Sequence, residues 1–152
     1  MLRNGNILRK SGYLDLDAFK IFLLDIGLLI AMIDLDAKVI IEENRIFTEF
    51  KGALTEQFVL QQLIAEVGIE PYYYSTPNSK GEIDFLIQGK TSIIPLEVKA
   101  EENLKAKSLK AFCDKYDPKY AIRTSMSDYR EQDWMKNIPL YNIDRIVEYI
   151  EK

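Results

Sequence analysis

The stretch Gly81–Ala100 alternates between polar and apolar residues with a period of two, which predicts two strands joined by a turn. Each strand then has one face rich in acids and one aliphatic face. The acid-rich face would carry Glu82, Asp84, Leu86, Pro95, Glu97 and Lys99, and the aliphatic face would carry Ile83, Phe85, Ile87, Ile94, Leu96 and Val98.

Pairing the two strands brings carboxylates together. A four-residue turn over Gly89–Ser92 places Asp84 across from Glu97 and Glu82 across from Lys99, whereas a tighter two-residue turn places Glu82 across from Glu97. In either register, facing carboxylates have Cβ atoms roughly 5 Å apart, and like charges directly opposite are destabilising. A compensating cation is therefore expected, and the candidates are Lys99 and a bound metal. Hard oxygen ligands suit Mg²⁺ or Mn²⁺.

The flanking segments predict a mixed α/β domain. A helix is expected over residues 48–67, ending at Gly68, and a first strand over residues 70–75. After the hairpin, Asn103 is expected to cap a helix that runs to about Tyr116, and a strand should follow over residues 120–124. The order is helix, three strands, helix, strand (αβββαβ), with a central mixed sheet flanked by helices.

The two ends of the chain extend this core. The pattern divides the chain into an N-terminal extension (1–45), a core (46–125) and a C-terminal extension of the same domain (126–152). In the N-terminal part we expect a short strand over 13–16, a strand over 20–24 and an apolar helix capped by Asp25. In the C-terminal part we expect a loop or irregular helix over 125–136, a strand over 138–141 and a helix over 143–150. That last helix should turn Ile146, Val147 and Ile150 inward.

Glu56 is the second chemical signal. At about 100° per residue it falls within the apolar stripe of the 48–67 helix, beside Leu60 and Leu63. A carboxylate on a core-facing stripe is costly to bury unless it is paired or bound to a metal. Alternatively, Glu56 reaches past the edge of the stripe into water.

Composition narrows the function classes. The 152 residues are 47% hydrophobic and 29% charged, as in a single globular domain. The chain has no histidine, which excludes Ser-His-Asp hydrolases, Cys-His proteases and His-ligated metal sites. A single cysteine, Cys113, fits a reducing cytoplasm, and no phosphate-binding GxxxxGK[ST] loop is present. The apolar run at Ile26–Ile33 is too short to span a bilayer and no signal peptide is evident, so no membrane association is expected.

Charge and aromatic residues leave two alternatives open. The net charge is -4, but the stretch from Lys99 to Arg123 carries an excess of positive charge. Lys107 and Lys110 are the candidates for binding nucleic-acid phosphates, although an ordinary lysine-rich helix surface would look the same. Tyr72–Tyr74 are expected to pack in the core rather than to stack on bases.

The hairpin resembles the PD-(D/E)XK nuclease superfamily, whose motif is an Asp on one strand and Glu-x-Lys on the next. The matching residues are Asp84 and Glu97-Val98-Lys99, with Ile83 where the motif's leading Pro would stand. The resemblance implies a restriction-endonuclease-like fold and a catalytic set of Asp84, Glu97, Lys99 and Glu56. Asp84, Glu97, Glu56 and the Val98 carbonyl would hold Mg²⁺ or Mn²⁺, and Lys99 would orient the attacking water or stabilise charge on the phosphate.

A longer part of the chain, from about Phe19 to Thr124, resembles the C-terminal domain of prokaryotic ATPases classed as domain of unknown function 4143. The resemblance is carried by Phe19–Met32, Lys51–Val59 and the Gly81–Ala100 hairpin. It implies an AAA-type ATPase domain as a partner, in cis or in trans.

Three functions follow as hypotheses. The first is a metal-dependent nuclease acting on nucleic acid. The second is a non-catalytic module of the same fold that docks to an ATPase, a nucleic acid or a protein. The third is a regulatory, toxin–antitoxin-like interaction protein that uses the apolar Ile26–Ile33 helix as its interface. The sequence predicts no particular oligomeric state.

Overall fold

A computed structural model describes residues 2–5, 14–34, 45–76, 81–101 and 105–151, with side chains over 19–34, 50–76, 81–101 and 105–151. The strands are β1 (Leu2–Gly5), β2 (Leu14–Lys20), β3 (Tyr72–Ser75), β4 (Glu82–Gln88), β5 (Ile93–Val98), β6 (Ile122–Ser125), β7 (Arg130–Glu131) and β8 (Lys136–Pro139). The helices are α1 (Ile26–Met32), α2 (Arg45–Ala65), α3 (Lys107–Tyr116), a 3₁₀ helix (Leu140–Ile146) and α4 (Val147–Ile150).

The strands form a mixed sheet in the order β2-β1-β3-β4-β5-β6-β8-β7. Strands β3, β4 and β5 are antiparallel neighbours, whereas β5, β6 and β8 run parallel. A parallel neighbour requires a crossover, and α3 supplies the one between β5 and β6. The predicted αβββαβ order, from α2 to β6, and the mixed α/β class are both confirmed.

The register of the β4–β5 hairpin follows the four-residue turn. Phe85 pairs with Leu96 and Gln88 pairs with Ile93, which leaves residues 89–92 as the turn. The amide of Gly89 closes this turn by donating to the Ser92 carbonyl at 2.9 Å. The ladder ends at the Phe85–Leu96 pair, and beyond it the Asp84 carboxylate accepts from the Val98 amide at 2.7 Å.

Helices cover both faces of this hairpin. One core cluster joins α2 to Phe85 and Ile87, and a second joins α3 to Leu86. Because successive strand residues point to opposite faces, the two clusters lie on opposite sides of the sheet. The expectation that the apolar core lies on one face alone is therefore wrong, since Leu86 and Pro95 are buried as well.

Ile83 corrects the predicted alternation in β4. It packs in the α3 cluster with Leu86, instead of sharing a face with Phe85 and Ile87. The cause is an extra residue in β4 relative to β3, because Tyr72 pairs with Leu86 and Tyr74 pairs with Ile83. Such a bulge reverses the side-chain directions beyond it, which are those at the start of β4.

The N-terminal elements match the sequence only in part. The predicted cap of α1 is confirmed, because the Asp25 carboxylate accepts from the Leu28 amide at 2.8 Å. The expected strand over 20–24 is wrong, since β2 covers Leu14–Lys20 and the chain then leaves the sheet. Outside the sheet, the backbone of Leu23 forms its hydrogen bonds with the Gln57 side chain. The Leu23 amide donates to Gln57 Oε1 at 2.9 Å, and Gln57 Nε2 donates to the Leu23 carbonyl at 3.0 Å.

The helices α2 and α3 also shift from their predicted bounds. Helix α2 begins three residues earlier than expected, and Gly68, at φ +74, stops it in the left-handed region that glycine tolerates. Helix α3 begins at Lys107 with Ala106 as its N-cap, so Asn103, which lies outside the described residues, does not directly precede it. Cys113 lies on α3, where it is partly buried, and this burial raises the pKa of its thiol to about 11.

The C-terminal segment departs most from the periodic pattern. The predicted loop contains the short strand β7, and the closing helix is a 3₁₀ turn followed by α4. Ile146 is buried as expected, but Val147 is 42% exposed and Tyr149 is buried instead. Because a 3₁₀ helix has three residues per turn, the phase of the buried face differs from that of a continuous α-helix.

The tyrosines of β3 pack largely as predicted. Tyr73 is buried, and the Tyr74 ring packs edge-on against Phe112, with its hydroxyl 3.0 Å from that of Tyr116. Tyr72 is exposed. Separately, none of the helices in the described part of the chain has both the length and the apolar character needed to cross a bilayer.

Candidate functional site

Asp84 lies at the centre of the site, at the start of the hairpin. One of its carboxylate oxygens, Oδ2, accepts a hydrogen bond from the Val98 amide at 2.7 Å, which ties β4 to β5 beside the Glu97-Val98-Lys99 segment. Its other oxygen, Oδ1, faces the Lys20 ammonium at 4.0 Å. The β4 bulge next to Asp84 is a common device for aiming a side chain beside a functional site.

Lys20, the last residue of β2, brings three acids together. Its ammonium is 3.4 Å from Glu56 Oε2 on α2, forms an ion pair with Glu82, and approaches Asp84. Burial lowers the pKa of Lys20, but the hydrogen bond to Glu82 and the charges of Glu56 and Asp84 outweigh burial, so the pKa is raised. Glu56 is therefore paired from α2 with the same lysine that contacts Glu82 and Asp84.

Glu97 and Lys99 form the other half of the site. The Lys99 ammonium is 2.6 Å from Glu97 Oε1, so Lys99 pairs with Glu97 and not with Glu82. Glu97 is buried, and its second oxygen, Oε2, has no hydrogen-bond partner among the described residues. A buried carboxylate oxygen without a partner costs free energy, which a ligand could recover.

The acids raise one another's pKa values. Burial, followed by the charges of Glu56 and Glu97, raises the pKa of Asp84 to about 7, although the Val98 amide acts in the opposite direction. Burial also raises the pKa of Glu56, with the charges of Lys20 and Lys99 opposing it. We call Glu56, Glu82, Asp84 and Glu97 the acid cluster. With all groups ionised, its four carboxylates face the ammonium groups of Lys20 and Lys99, and the charge of Arg123 on the neighbouring strand β6 also acts on Glu97. Among the described residues, the carboxylates of the acid cluster therefore outnumber these three cations by one.

The acid cluster has the chemistry of a site for a hard divalent cation. Its donors are carboxylate oxygens, which outnumber the cations around them, and Glu97 Oε2 is buried with no hydrogen-bond partner among the described residues. As the side chains stand, no three acidic or cysteine side chains among the described residues are grouped to hold a metal ion. The Lys20 ammonium lies among three of the acids instead. The Val98 amide donates a hydrogen bond to Asp84. The role of the Val98 carbonyl as a metal ligand stays a prediction.

The predicted substrate-binding lysines lie on α3, apart from these ion pairs. Lys110 is 2.6 Å from Asp114 and lies over the Trp134 ring, and Lys107 is exposed. Their role in binding phosphates stays a prediction. Arg123, which the sequence counts toward the same basic surface, is instead fully buried beside Asn137, with Nε 2.8 Å from Oδ1.

Lys20 is the site residue that sequence reasoning missed. The sequence does mark Lys20, because it is the single charged residue in the apolar run Phe19–Leu24, and a charge that is buried there requires a partner. The predicted strand over residues 20–24 gave Lys20 no such partner, because it did not bring the end of β2 next to α2 or β4.

The fold and site define a mixed α/β domain with an acid cluster at the open end of the β4–β5 hairpin, where Lys20 contacts three of the four acids. Comparison with protein families adds one finding: a model of the domain of unknown function DUF4143 matches residues 51–143, more than half of the chain. The chain therefore belongs to this family. The matched range includes Glu56, Asp84, Glu97 and Lys99, whereas Lys20 lies before it. No curated protein and no solved structure matches the chain.

Proposed function

We propose that this domain is a metal-dependent nuclease of the PD-(D/E)XK type, which hydrolyses phosphodiester bonds in nucleic acid with Mg²⁺ or Mn²⁺. The observation that carries the proposal is the position of Asp84. Its carboxylate is 16% exposed, and the charges of Glu56 and Glu97 both raise its pKa against the opposing charge of Lys20. Structural ion pairs are normally balanced, and perturbed carboxylates of this kind concentrate at functional sites.

Each residue has a role that its contacts support. Asp84, Glu97 and Glu56 would hold the metal, which when bound would supply an activated water and polarise the scissile phosphate. The Val98 amide fixes the orientation of the Asp84 carboxylate. Lys99, held by Glu97 Oε1, would orient the attacking water or stabilise the charge that develops on the phosphate. Lys107 and Lys110 would contact phosphates farther along the substrate.

The test compares wild type with Asp84→Asn and Lys99→Ala in nicking of plasmid and single-stranded DNA, with Mg²⁺ or Mn²⁺. Each variant should lose about a hundredfold or more in rate, because one removes a metal ligand and the other the ammonium group at the reacting phosphate. Glu148→Gln and Lys136→Ala are the matched controls. They change the same charges in the ion pairs Arg145–Glu148 and Lys136–Glu131, outside the site, and should stay within about twofold of wild type.

Either of two results would reject the proposal. One is the absence of nicking with both metals on both substrates. The other is nicking that survives unchanged in both Asp84→Asn and Lys99→Ala, since a contaminating nuclease would behave in this way.

A second candidate function rests on exposed apolar side chains near α1. Ile21 is 74% exposed, Leu24 is 86% exposed and Met32 is 67% exposed. Such side chains favour a protein-docking module, and an AAA-type ATPase domain is the partner that the family resemblance implies. Under this candidate the acid cluster would be non-catalytic, and all variants in the nicking test would be equally inactive.

A further inference from the structure

The two halves of the acid cluster differ in which cation they hold. Lys99 forms its close ion pair with the single acid Glu97, on its own strand. Lys20 arrives from a distant part of the chain and lies among Glu56, Glu82 and Asp84, with its side chain only 24% exposed. An ammonium in that position neutralises the carboxylates that would otherwise bind an external cation.

We infer that Lys20 is a tethered counter-ion that occupies the metal-binding carboxylates and is displaced when a divalent cation binds. The inference rests on the proposed function, because it takes the acid cluster to be the metal site. It adds that the chain carries its own competitor for that site.

The geometry of Asp84 supports the competition. Oδ2 is engaged by the Val98 amide, so Oδ1 is the oxygen left for a cation, and Oδ1 is the atom that faces the Lys20 ammonium. The same ammonium contacts Glu56 Oε2. A metal bridging Asp84 and Glu56 would therefore lie within a few ångströms of a positive charge, and the repulsion would move Lys20 away.

The Lys20 ammonium also has an alternative position in which it stays paired with Glu82. Glu82 is the most exposed of its three partners, with 42% of its side chain exposed, and it lies at the start of β4. A lysine has four rotatable side-chain bonds, so its ammonium can leave Asp84 and Glu56 and stay paired with Glu82 at the solvent edge.

The test is calorimetric titration of Mn²⁺ into protein without nucleic acid. Lys20→Met should bind Mn²⁺ on the order of tenfold more tightly than wild type, because no cation has to be displaced. Lys20→Arg keeps the charge and should stay near wild-type affinity. Lys136→Met is the matched control, since it removes a lysine of similar exposure (22%) from the ion pair with Glu131, and it should also bind like wild type.

Equal or weaker Mn²⁺ binding by Lys20→Met would overturn the inference, as would the absence of binding in every variant. A second measurement uses the unmodified protein, so it does not depend on the variant folding. The NMR resonances of the Lys20 Cε group should shift as Mg²⁺ is added, and an unchanged resonance at saturation would also overturn the inference. Failure of the proposed nuclease is distinguishable, because Mn²⁺ binding with Lys20 displaced can persist without any nicking.

Discussion

Asn137 is a buried polar side chain and Asp84 is a largely buried one in the same sheet, but their surroundings are opposite in kind. The Asn137 oxygen accepts from Arg123 Nε and Ser125 Oγ, each at 2.8 Å, and its amide group donates to the carbonyls of Ser127 and Asp128. Every hydrogen-bonding group of that side chain is used. Asp84 has one amide donor and is surrounded by Glu56 and Glu97, whose charges disfavour its ionised form.

Under the proposed function, the difference separates a group that serves the fold from one that serves a ligand. A neutral amide with matched partners stabilises the sheet where β6 and β8 meet and fixes the Ser127–Asp128 connection against it. A buried carboxylate among other carboxylates lowers the stability of the fold in the absence of a bound cation. Under the proposed function, affinity for a divalent ion compensates for this loss of stability.

The largest expected effect comes from Asn137→Leu. The substitution keeps the volume but removes the hydrogen bonds that Asn137 makes to the buried Arg123 Nε, Ser125 Oγ and Ser127 carbonyl, so the free energy of unfolding should fall by about 3 kcal/mol. Urea denaturation followed by circular dichroism measures the change. Gln132→Leu, an exposed polar-to-apolar substitution, is the control and should stay within about 0.5 kcal/mol. A loss below about 1 kcal/mol for Asn137→Leu would contradict the structural role given to this network.

Asp84→Asn should act in the opposite direction. The pKa of Asp84 is about 7 in the fold and 3.8 as its ordinary value, so the folded state binds the proton more tightly. Ionisation of the unfolded chain then lowers the stability of wild type as the pH rises from about 4 to about 7, and the loss is complete above pH 7. Removing the charge should therefore stabilise the protein at pH 8 by about 2 kcal/mol and flatten this part of the pH profile.

Urea denaturation at pH 5 and pH 8, without divalent metal, measures this prediction. The control is Asp114→Asn, an exposed carboxylate paired with Lys110, which should leave the pH profile of wild type intact. If Asp84→Asn were destabilising at pH 8, the contrast between Asp84 and Asn137 would be lost, because both would then be structural.

The features that the sequence predicted are local ones. The β4–β5 hairpin follows from the alternation of its own residues and a turn over 89–92, and the Asp25 cap follows from side-chain chemistry within one helical turn. Periodicity placed Glu56 on the apolar stripe of its helix, whereas the expectation that it meets Asp84 came from the resemblance to PD-(D/E)XK nucleases.

The features that it missed depend on contacts between distant segments. The bulge that turns Ile83 over exists only relative to β3, and Lys20 joins the site because β2 ends beside α2 and β4. Val147 is exposed because a 3₁₀ helix precedes it, and the three residues per turn of that helix shift the buried face away from the positions that an α-helical period predicts. Most of the fold was therefore predictable, along with the acids of the site and Lys99, but not Lys20, which lies among three of those acids.

The smallest expected effect comes from Gln57, which is a buried side-chain amide like Asn137 but holds the segment next to Lys20 instead of the sheet. Its side chain, only 2% exposed, bonds the amide and the carbonyl of Leu23, three residues after Lys20. Gln57→Ala should lower the free energy of unfolding by about 1 kcal/mol, because the half-buried Leu23 groups can turn to water.

The effect of Gln57→Ala should be confined to one side of the molecule. Hydrogen exchange should become faster in residues 21–26 and stay unchanged in β4 and β5, since the hairpin is held by its own ladder and by two core clusters. With Lys20 held less firmly, the favourable charge beside Asp84 weakens, so the stability of this variant should fall more steeply between pH 4 and pH 7 than that of wild type. Gln62→Ala, a partly exposed position on the same helix, is the control. Faster exchange throughout the sheet would instead mean that Gln57 supports the whole core, and the steeper pH profile would then not be expected.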